Sequence, residues 1–241
     1  LALILNIETA TETCSVALAL NGKAIGCVEV SETKAHAAKL TLFIGEVISK
    51  AGYTFNQLDA IAVSKGPGSY TGLRIGVSTA KGLCFALDKP LLAVNSLESF
   101  ATHFKQNHLP DFVNKNHQTD FSNALLCPMI DARRMEVYTA LYNLTLETIE
   151  PTKAYILDAL SFSTFLQAGP VIFFGNGATK WHDIAHTYTN AWFENTSALS
   201  ALGMIGKAEQ LFEKKEFEDL AYFEPFYLKD FVSTQPRQKL V

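Results

Sequence analysis

Four stretches hold residues whose types and spacing could do chemistry. Glu8-Thr9-Ala10-Thr11 ends the first apolar run. An acid beside hydroxyls on a hairpin can hold a metal–nucleotide, and a solvated hairpin end places the same residue types there. The loop Gly66-Pro67-Gly68-Ser69-Tyr70-Thr71-Gly72 runs into a helical pattern carrying Arg74. A strand that turns into a helix at that point aims free N–H groups and the positive dipole end at an anion. The spacing is G-x-G-x-x-x-G with no Gly-Lys-Ser/Thr, so it is neither a dinucleotide fingerprint nor a P-loop. Glycines that permit tight packing account for it as well. Asp131-Ala132-Arg133-Arg134 is the matching turn further on, where a phosphate cradle would need glycine; arginines paired with nearby Glu136 are the plainer expectation. His182-Asp183-Ile184-Ala185-His186 spaces two histidines as a zinc helix does, but aspartate replaces the glutamate base and no third ligand follows, so no metal site is expected. No Gly-x-Ser-x-Gly occurs and no cysteine adjoins a histidine. His36 is expected on the surface at a helix start. These residues assemble no active site by themselves.

The elements that must position them follow from periodicity. Leu3 to Ile7, Cys14 to Leu20 and Lys23 to Val30 read as strands, the last two joined by Asn21-Gly22, a strong hairpin signal. A helix is expected from Ala35 to Ala51, stopped by Gly52. Asp59 to Ser64 reads as a buried strand, Leu73 to Leu87 as a helix, Leu91 to Asn95 as a strand, and Ser96 as a helix cap. The stretch from His103 to Asn123 is polar and aperiodic, the pattern of a loop or domain junction. Strands are expected again at Ala124 to Ile130, Met135 to Tyr142 and Val171 to Phe174, then a turn at Gly175-Asn176-Gly177 into a helix. A last helix is expected over roughly Ser197 to Lys215. Two α/β sets of similar length imply an internally duplicated, layered α/β fold with mixed sheets.

Composition narrows the function. The 241 residues are 48% hydrophobic and 18% charged, which excludes a disordered chain. Twenty basic residues against 24 acidic give a net charge of −4, which supplies no general attraction to nucleic acid or anionic membrane. Cys14, Cys27, Cys84 and Cys127 are far apart in apolar runs, as buried thiols in a reducing compartment would be. No basic leader and no apolar run of about 18–20 residues is present, so no membrane contact and a cytoplasmic location are expected.

Two helices carry more apolar surface than one core needs. At 100° per residue, Ala37, Leu40, Phe43, Ile44, Val47, Ile48 and Ala51 share a core face, while Ala38, Leu42, Gly45 and Ser49 form a second stripe. In the next helix Leu73, Val77, Ala80, Leu83, Cys84 and Leu87 face the core. Ile75, Ser78, Thr79, Gly82, Phe85 and Ala86 cover most of the remainder, with Arg74 and Lys81 as its charges. Such a helix is buried on both sides, either by its own chain or by a partner.

ILNIETATETCSVAL, the run from His36 to Gly52, DAIAVSKGPGSYTGLRIGVSTAKGL, DARRMEVY (131–138) and PFYLKDF (225–231) together resemble the bacterial TsaB family, also called YeaZ. GPGSYTGLRIG is the most specific of these; the resemblance is dense over 3–100 and returns at 125–138 and 222–231. It implies the duplicated actin/Hsp70/sugar-kinase (ribonuclease H-like) fold, dividing into residues 1–102 and 103–241, with the final helix and tail packing back on the first part. It implies a non-catalytic dimerisation subunit of the tRNA threonylcarbamoyladenosine machinery. Its partners would be TsaD, the metal-containing subunit that transfers threonylcarbamoyl to the adenosine next to the anticodon, and TsaE, an ATPase that docks on that pair. Without TsaD a homodimer is expected through the same helices, and tRNA would be reached only through the complex. The partner surface would comprise Ala38, Leu42, Gly45, Ser49, Ile75, Ser78, Thr79, Gly82, Phe85 and Ala86. Glu8, Thr9, Thr11, Gly66, Gly68, Ser69, Thr71, Gly72, Arg74, Asp131 and Arg133 would lie nearest any nucleotide or anion. No metal or cofactor would be held by the chain alone, and a nucleotide only at the partner junction. The family usually has aspartate where this chain has Glu8, which counts against autonomous ATP hydrolysis. The alternatives are a sugar-kinase-like phosphotransferase, which needs ATP turnover dependent on Glu8, and a glycoprotease-like metallopeptidase, which needs a histidine pair where the chain offers His36.

Overall fold

Strand β1 (Leu3–Glu8) has every residue buried, the mark of a strand covered on both faces. It pairs antiparallel with β2 (Thr13–Leu20), which turns into β3 (Lys23–Ser31). Asn21 and Gly22 both take positive φ, 52° and 69°, as the favoured two-residue hairpin requires. On its other side β1 pairs in parallel with β4 (Ala60–Gly66), and β4 with β5 (Leu91–Asn95), giving the order β3-β2-β1-β4-β5. The structure, a computed structural model, describes residues 2–32, 35–185, 187–195 and 198–229.

Helices α1 (Ala35–Lys50) and α2 (Tyr70–Leu87) lie together on one face of this sheet. Leu40, Ile44, Val47 and Ile48 of α1 and Val77, Ala80 and Cys84 of α2 close over Leu3, Leu5 and Ile7. Ala37, placed in the core stripe by periodicity, is exposed, because the buried stripe is narrower than the wheel suggests. Ser69 caps α2 by accepting the Gly72 N–H, so the helix begins three residues before the first apolar position.

The stretch expected to be a loop is largely helical: α3 (Ser96–Asn107) is followed by α4 (Leu109–Lys115). Phe104, Phe112 and Phe121 are buried there, and these few aromatics anchor segments whose other residues are polar. Asn95, not Ser96, caps α3, its Oδ1 accepting from the Leu97 and Glu98 N–H groups. The second sheet combines β6 (Leu125–Asp131), β7 (Glu136–Tyr142), β8 (Thr148–Ile156), β9 (Val171–Phe174) and β10 (Ala191–Glu194), with α5 (Ser163–Ala168) and α6 (Thr179–Ala185) between the later strands. Neither β8, α5 nor β10 was visible in the sequence pattern.

Read from β8, the second order is β8-β7-β6-β9-β10, with the first three strands antiparallel and the last pairs parallel. The first sheet has the same arrangement. This is the duplicated actin/Hsp70/sugar-kinase architecture, two α/β subdomains with mixed sheets. A 3-10 turn (Ala201–Met204) and α7 (Ile205–Glu213) then cover the inner face of the first sheet, where Met204 and Ala208 meet Ile4, Ala62 and Val94. The last helix is thus shorter than expected, and Ser197 lies outside the described residues.

Between the sheets runs one apolar cluster. Ala10 and Leu73 of the first half join Phe100 and Phe104 of α3 and Leu126, Ile130 and Phe174 of the second sheet. Phe104 stacks on Phe174 with ring centroids 4.1 Å apart, and Phe100 meets the same ring edge-on at 5.1 Å. Beyond α7 the chain becomes a strap. Glu218 N–H donates to Leu91 O (2.9 Å), Lys81 Nζ donates to Phe223 O (3.0 Å), and Phe226 N–H donates to Lys65 O (2.7 Å). Tyr227 then stacks near Tyr70, and Lys229 pairs with Glu136 of β7. Among the described residues no helix is long and apolar enough to cross a membrane. Cys14, Cys84 and Cys127 are buried; Cys27, expected inside, is exposed on edge strand β3.

Because Phe104 belongs to both halves, Phe104→Ala should cost about 3–5 kcal/mol in urea unfolding while the transition stays single. Two separated transitions would show that the halves unfold independently.

Candidate functional site

Two places collect the residues singled out above: the turn at the end of β1, and the outer side of α1 and α2. At the first, Glu8 is wholly buried. Ala10 N–H donates to Glu8 Oε1 at 2.6 Å, while Oε2 has no partner. Burial pushes this acid up to about 7, against the opposing pull of hydrogen bonds from the Ala10 N–H and Ser64. Thr9 is also fully buried and Thr11 nearly so, which excludes a solvated hairpin end. A carboxyl that burial shifts toward its protonated form is a poor cation ligand.

What covers the turn is the glycine loop. Ser69 N–H donates to Ala10 O at 2.7 Å. A side chain on Gly68 would strike Ala10 O, one on Gly72 would strike Thr9 O, and one on Gly76 would strike Thr9 Oγ1. Four-residue spacing puts Gly72 and Gly76 on one stripe of α2, Gly68 lies in the loop just before its cap, and all three are pressed against the turn. Two of the N–H groups that could have faced an anion, those of Ser69 and Gly72, are therefore turned to partners in the chain. Gly66, at φ +108°, abuts Phe226 O of the strap. Thr71 and Arg74 are exposed; the Arg74 guanidinium lies 4.9 Å over the Tyr70 ring and bonds the Tyr227 side chain.

The second half repeats the device. Gly177 N–H donates to Met129 O at 3.1 Å, so the loop from β9 to α6 sits on the end of β6 as the first loop sits on the end of β1. Asn176 joins the two turns, its Nδ2 donating to Glu12 Oε2 (3.0 Å) and its Oδ1 accepting the Asp131 N–H (2.9 Å). Asp131 and Arg133 are exposed, Asp131 pairing with Lys180 at 2.5 Å. Glu136 pairs with Lys229, which corrects the expectation that it would neutralise the arginines. Arg133 and Arg134 have φ of 70° and 50°, a region that costs a residue with a β-carbon roughly 1–2 kcal/mol. Of the histidines, His36 is buried beside Thr13 O (3.3 Å) and not on the surface as expected, and His182 is exposed against the Phe193 ring. His186 lies outside the described residues. Among those described, no three His, Cys, Asp or Glu side chains gather as a metal would require.

The outer side of the helix pair is open. Ala38, Leu42 and Ser49 of α1 and Ser78, Gly82, Phe85 and Ala86 of α2 are exposed, while Gly45, Ile75 and Thr79 are half-buried. Leu42 is 66% exposed and Phe85 83%. At Gly45 and Gly82 a β-carbon would meet nothing among the described residues within 4 Å. Sequence reasoning missed Gly76, Asn176, Lys180 and Tyr227. Gly76 was findable, since it continues the four-residue spacing of Gly68 and Gly72; the others become informative only once the two turns face each other.

The family model described as TsaD, tRNA N6-adenosine threonylcarbamoyltransferase, matches residues 23–235. The tRNA threonylcarbamoyladenosine biosynthesis protein TsaB of Bacillus subtilis (strain 168) is 30% identical over 239 residues, covering 94% of this chain and 93% of that protein. The chain belongs to the TsaB (YeaZ) family. With TsaB of Haemophilus influenzae it shares 33% identity over 135 residues, 56% of this chain and about half (51%) of that protein. A threonylcarbamoyltransferase of Staphylococcus saprophyticus is 28% identical over 241 residues, which cover 89% of this chain but 66% of that protein. The match to the Staphylococcus transferase is thus a match to part of a longer chain, whereas the Bacillus TsaB is matched along nearly its whole length. YeaZ from Pseudomonas aeruginosa has the same fold, with a TM-score of 0.73 at 25% identity over 95% of this chain and 100% of that one.

Two measurements check the packing of this site. Gly72→Ala should destabilise the chain by about 1–3 kcal/mol through its clash with Thr9 O, whereas Gly82→Ala should stabilise the isolated chain by about 0.5–1 kcal/mol; equal effects would contradict the two environments. Glu8 binds its proton more tightly folded than unfolded. Its contribution is therefore fully present below the ordinary carboxylate range near 4.5, declines as pH rises through about 7, and is level above that. The total is about 3 kcal/mol. Glu8→Gln should flatten this decline in unfolding free energy measured from pH 4.5 to 8, and an unchanged slope would contradict the burial argument.

Proposed function

We propose that the chain is a non-catalytic scaffold of tRNA threonylcarbamoyladenosine synthesis, and that the outer side of α1 and α2 is where it pairs with a TsaD-type threonylcarbamoyltransferase. The observation that carries this is the pair Gly45 and Gly82. A glycine inside a helix costs about 0.5–1 kcal/mol relative to alanine, and no atom of the described residues outside its helix lies within 4 Å of where either side chain would begin. That space, flanked by Leu42 and Phe85, lets a second helix approach backbone to backbone. The names of the relatives supply the pathway, tRNA threonylcarbamoyladenosine biosynthesis. The interior cleft favours no separate catalysis, since its acid is buried and its glycine loop is packed on the adjoining turn. On this reading a nucleotide is held only where the two subunits meet, TsaE docks on the assembled pair, and tRNA reaches the chain as part of the complex. The location is cytoplasmic, and without the transferase two copies pair through the same helices.

Gly82→Glu or Ala86→Glu should weaken co-purification with the transferase by at least about 100-fold, or roughly 2.7 kcal/mol, while the isolated chain stays folded, the Gly82→Glu variant unfolding at no lower a temperature than wild type. Pairing that survives either substitution would place the interface elsewhere.

A further inference from the structure

The turn between β6 and β7 displays two cations that the described chain does not use. Arg133 and Arg134 occupy the left-handed region where hairpins favour asparagine or glycine. The backbone beneath them is braced. Asp131 Oδ1 accepts the Arg133 N–H at 2.6 Å, and Lys180 Nζ donates to Asp131 Oδ1 (2.5 Å), Arg134 O (2.6 Å) and Glu136 O (3.3 Å). The acids within reach already have partners: Asp131 has Lys180, Glu136 has Lys229, and Glu12 across the cleft mouth is bonded by Asn176. Both arginines are exposed, and among the described residues neither guanidinium makes a hydrogen bond or ion pair. We propose that the Arg133–Arg134 hairpin is a rigid tip that contacts the phosphodiester backbone of an RNA.

The inference rests on the reading that the chain works in tRNA modification, and it adds a direct contact to that reading. Guanidinium forks match phosphate oxygens in geometry and charge. A chain of net charge −4 repels a polyanion as a whole, so contact is confined to points where bare cations project. Two residues and the neighbouring Met135 offer far less than the roughly 800 Å² per side that a stable protein interface buries, which favours a backbone contact over a docking surface for protein.

The test uses the full chain and a fluorescein-labelled, unmodified tRNA anticodon stem-loop, followed by anisotropy from 50 to 200 mM KCl. The double variant Arg133→Gly, Arg134→Gly suits the left-handed turn and removes both charges. It should unfold at the same or a higher temperature, bind about tenfold more weakly at 50 mM KCl, and lose about one unit of salt slope per arginine. Lysine at both positions should restore most of the slope. The proposal is overturned if the wild-type chain does not bind at 50 mM KCl, or if the glycine variant keeps the wild-type affinity and slope. It is equally overturned if millimolar ATP displaces the RNA from wild type, since the tip then serves a nucleotide phosphate. Co-purification with the transferase is measured in parallel and should not change in the glycine variant. Its loss there with RNA binding intact would make the tip a protein contact, whereas a wild-type chain that binds RNA but never pairs would refute the scaffold role and leave the hairpin assignment standing.

Discussion

The close approach between the Thr9–Ala10 turn and the glycines of α2 is the constraint on which the rest of this molecule depends. Gly68 in the loop and Gly72 and Gly76 in α2 lack the side chains that would collide with Ala10 or Thr9, so loop and helix backbone can touch a strand-end turn. The contact fixes the rotation of α2 about its own axis. With Gly72 and Gly76 turned to the strand end, Val77, Ala80 and Cys84 must face the sheet, and Gly82, Phe85 and Ala86 must face outward. One packing event thus fills the cleft from inside and sets the outward character of the helix that forms the candidate partner surface.

The two halves share a topology and have diverged in use. Each ends its central strand under a glycine-bearing loop, and each opens with an antiparallel hairpin. In the first half that loop starts a helix of 18 residues with a bare outer side; in the second it starts a helix of 7 residues whose Trp181 is wholly buried. The aromatic stack of Phe100, Phe104 and Phe174 unites the halves through one apolar cluster. Glu8 is buried at the end of β1, two residues before Ala10 of that cluster, and burial shifts its carboxyl toward the protonated form.

Much of this was legible in the residues, for identifiable reasons. Apolar alternation and Asn21-Gly22 located the first three strands, and the bare stripes on α1 and α2 could be drawn on a wheel because helices of 16 and 18 residues average out local noise. The second half was harder to read. Helix α5 spans 6 residues and β10 spans 4, too short for a period to register, whereas Val171–Phe174 and the helix after Gly175-Asn176-Gly177 were legible from an apolar run and its turn. Helix α4 was hidden because single phenylalanines anchor it among polar neighbours. The glycine loop was legible as a strand-to-helix turn but ambiguous in purpose; what it packs on depends on β1, some 60 residues earlier, a separation that local pattern cannot carry.

The strap has a consequence in time. The main chain at Ala221 and Phe223 accepts hydrogen bonds from Lys81, about 140 positions earlier, and Leu220 and Phe223 complete the apolar layer under α1 and α2. During synthesis α2 therefore emerges long before its last supports exist. A ribosome-bound or prematurely terminated product has both helices without the carbonyls that hold Lys81 and without the apolar cover of Leu220 and Phe223.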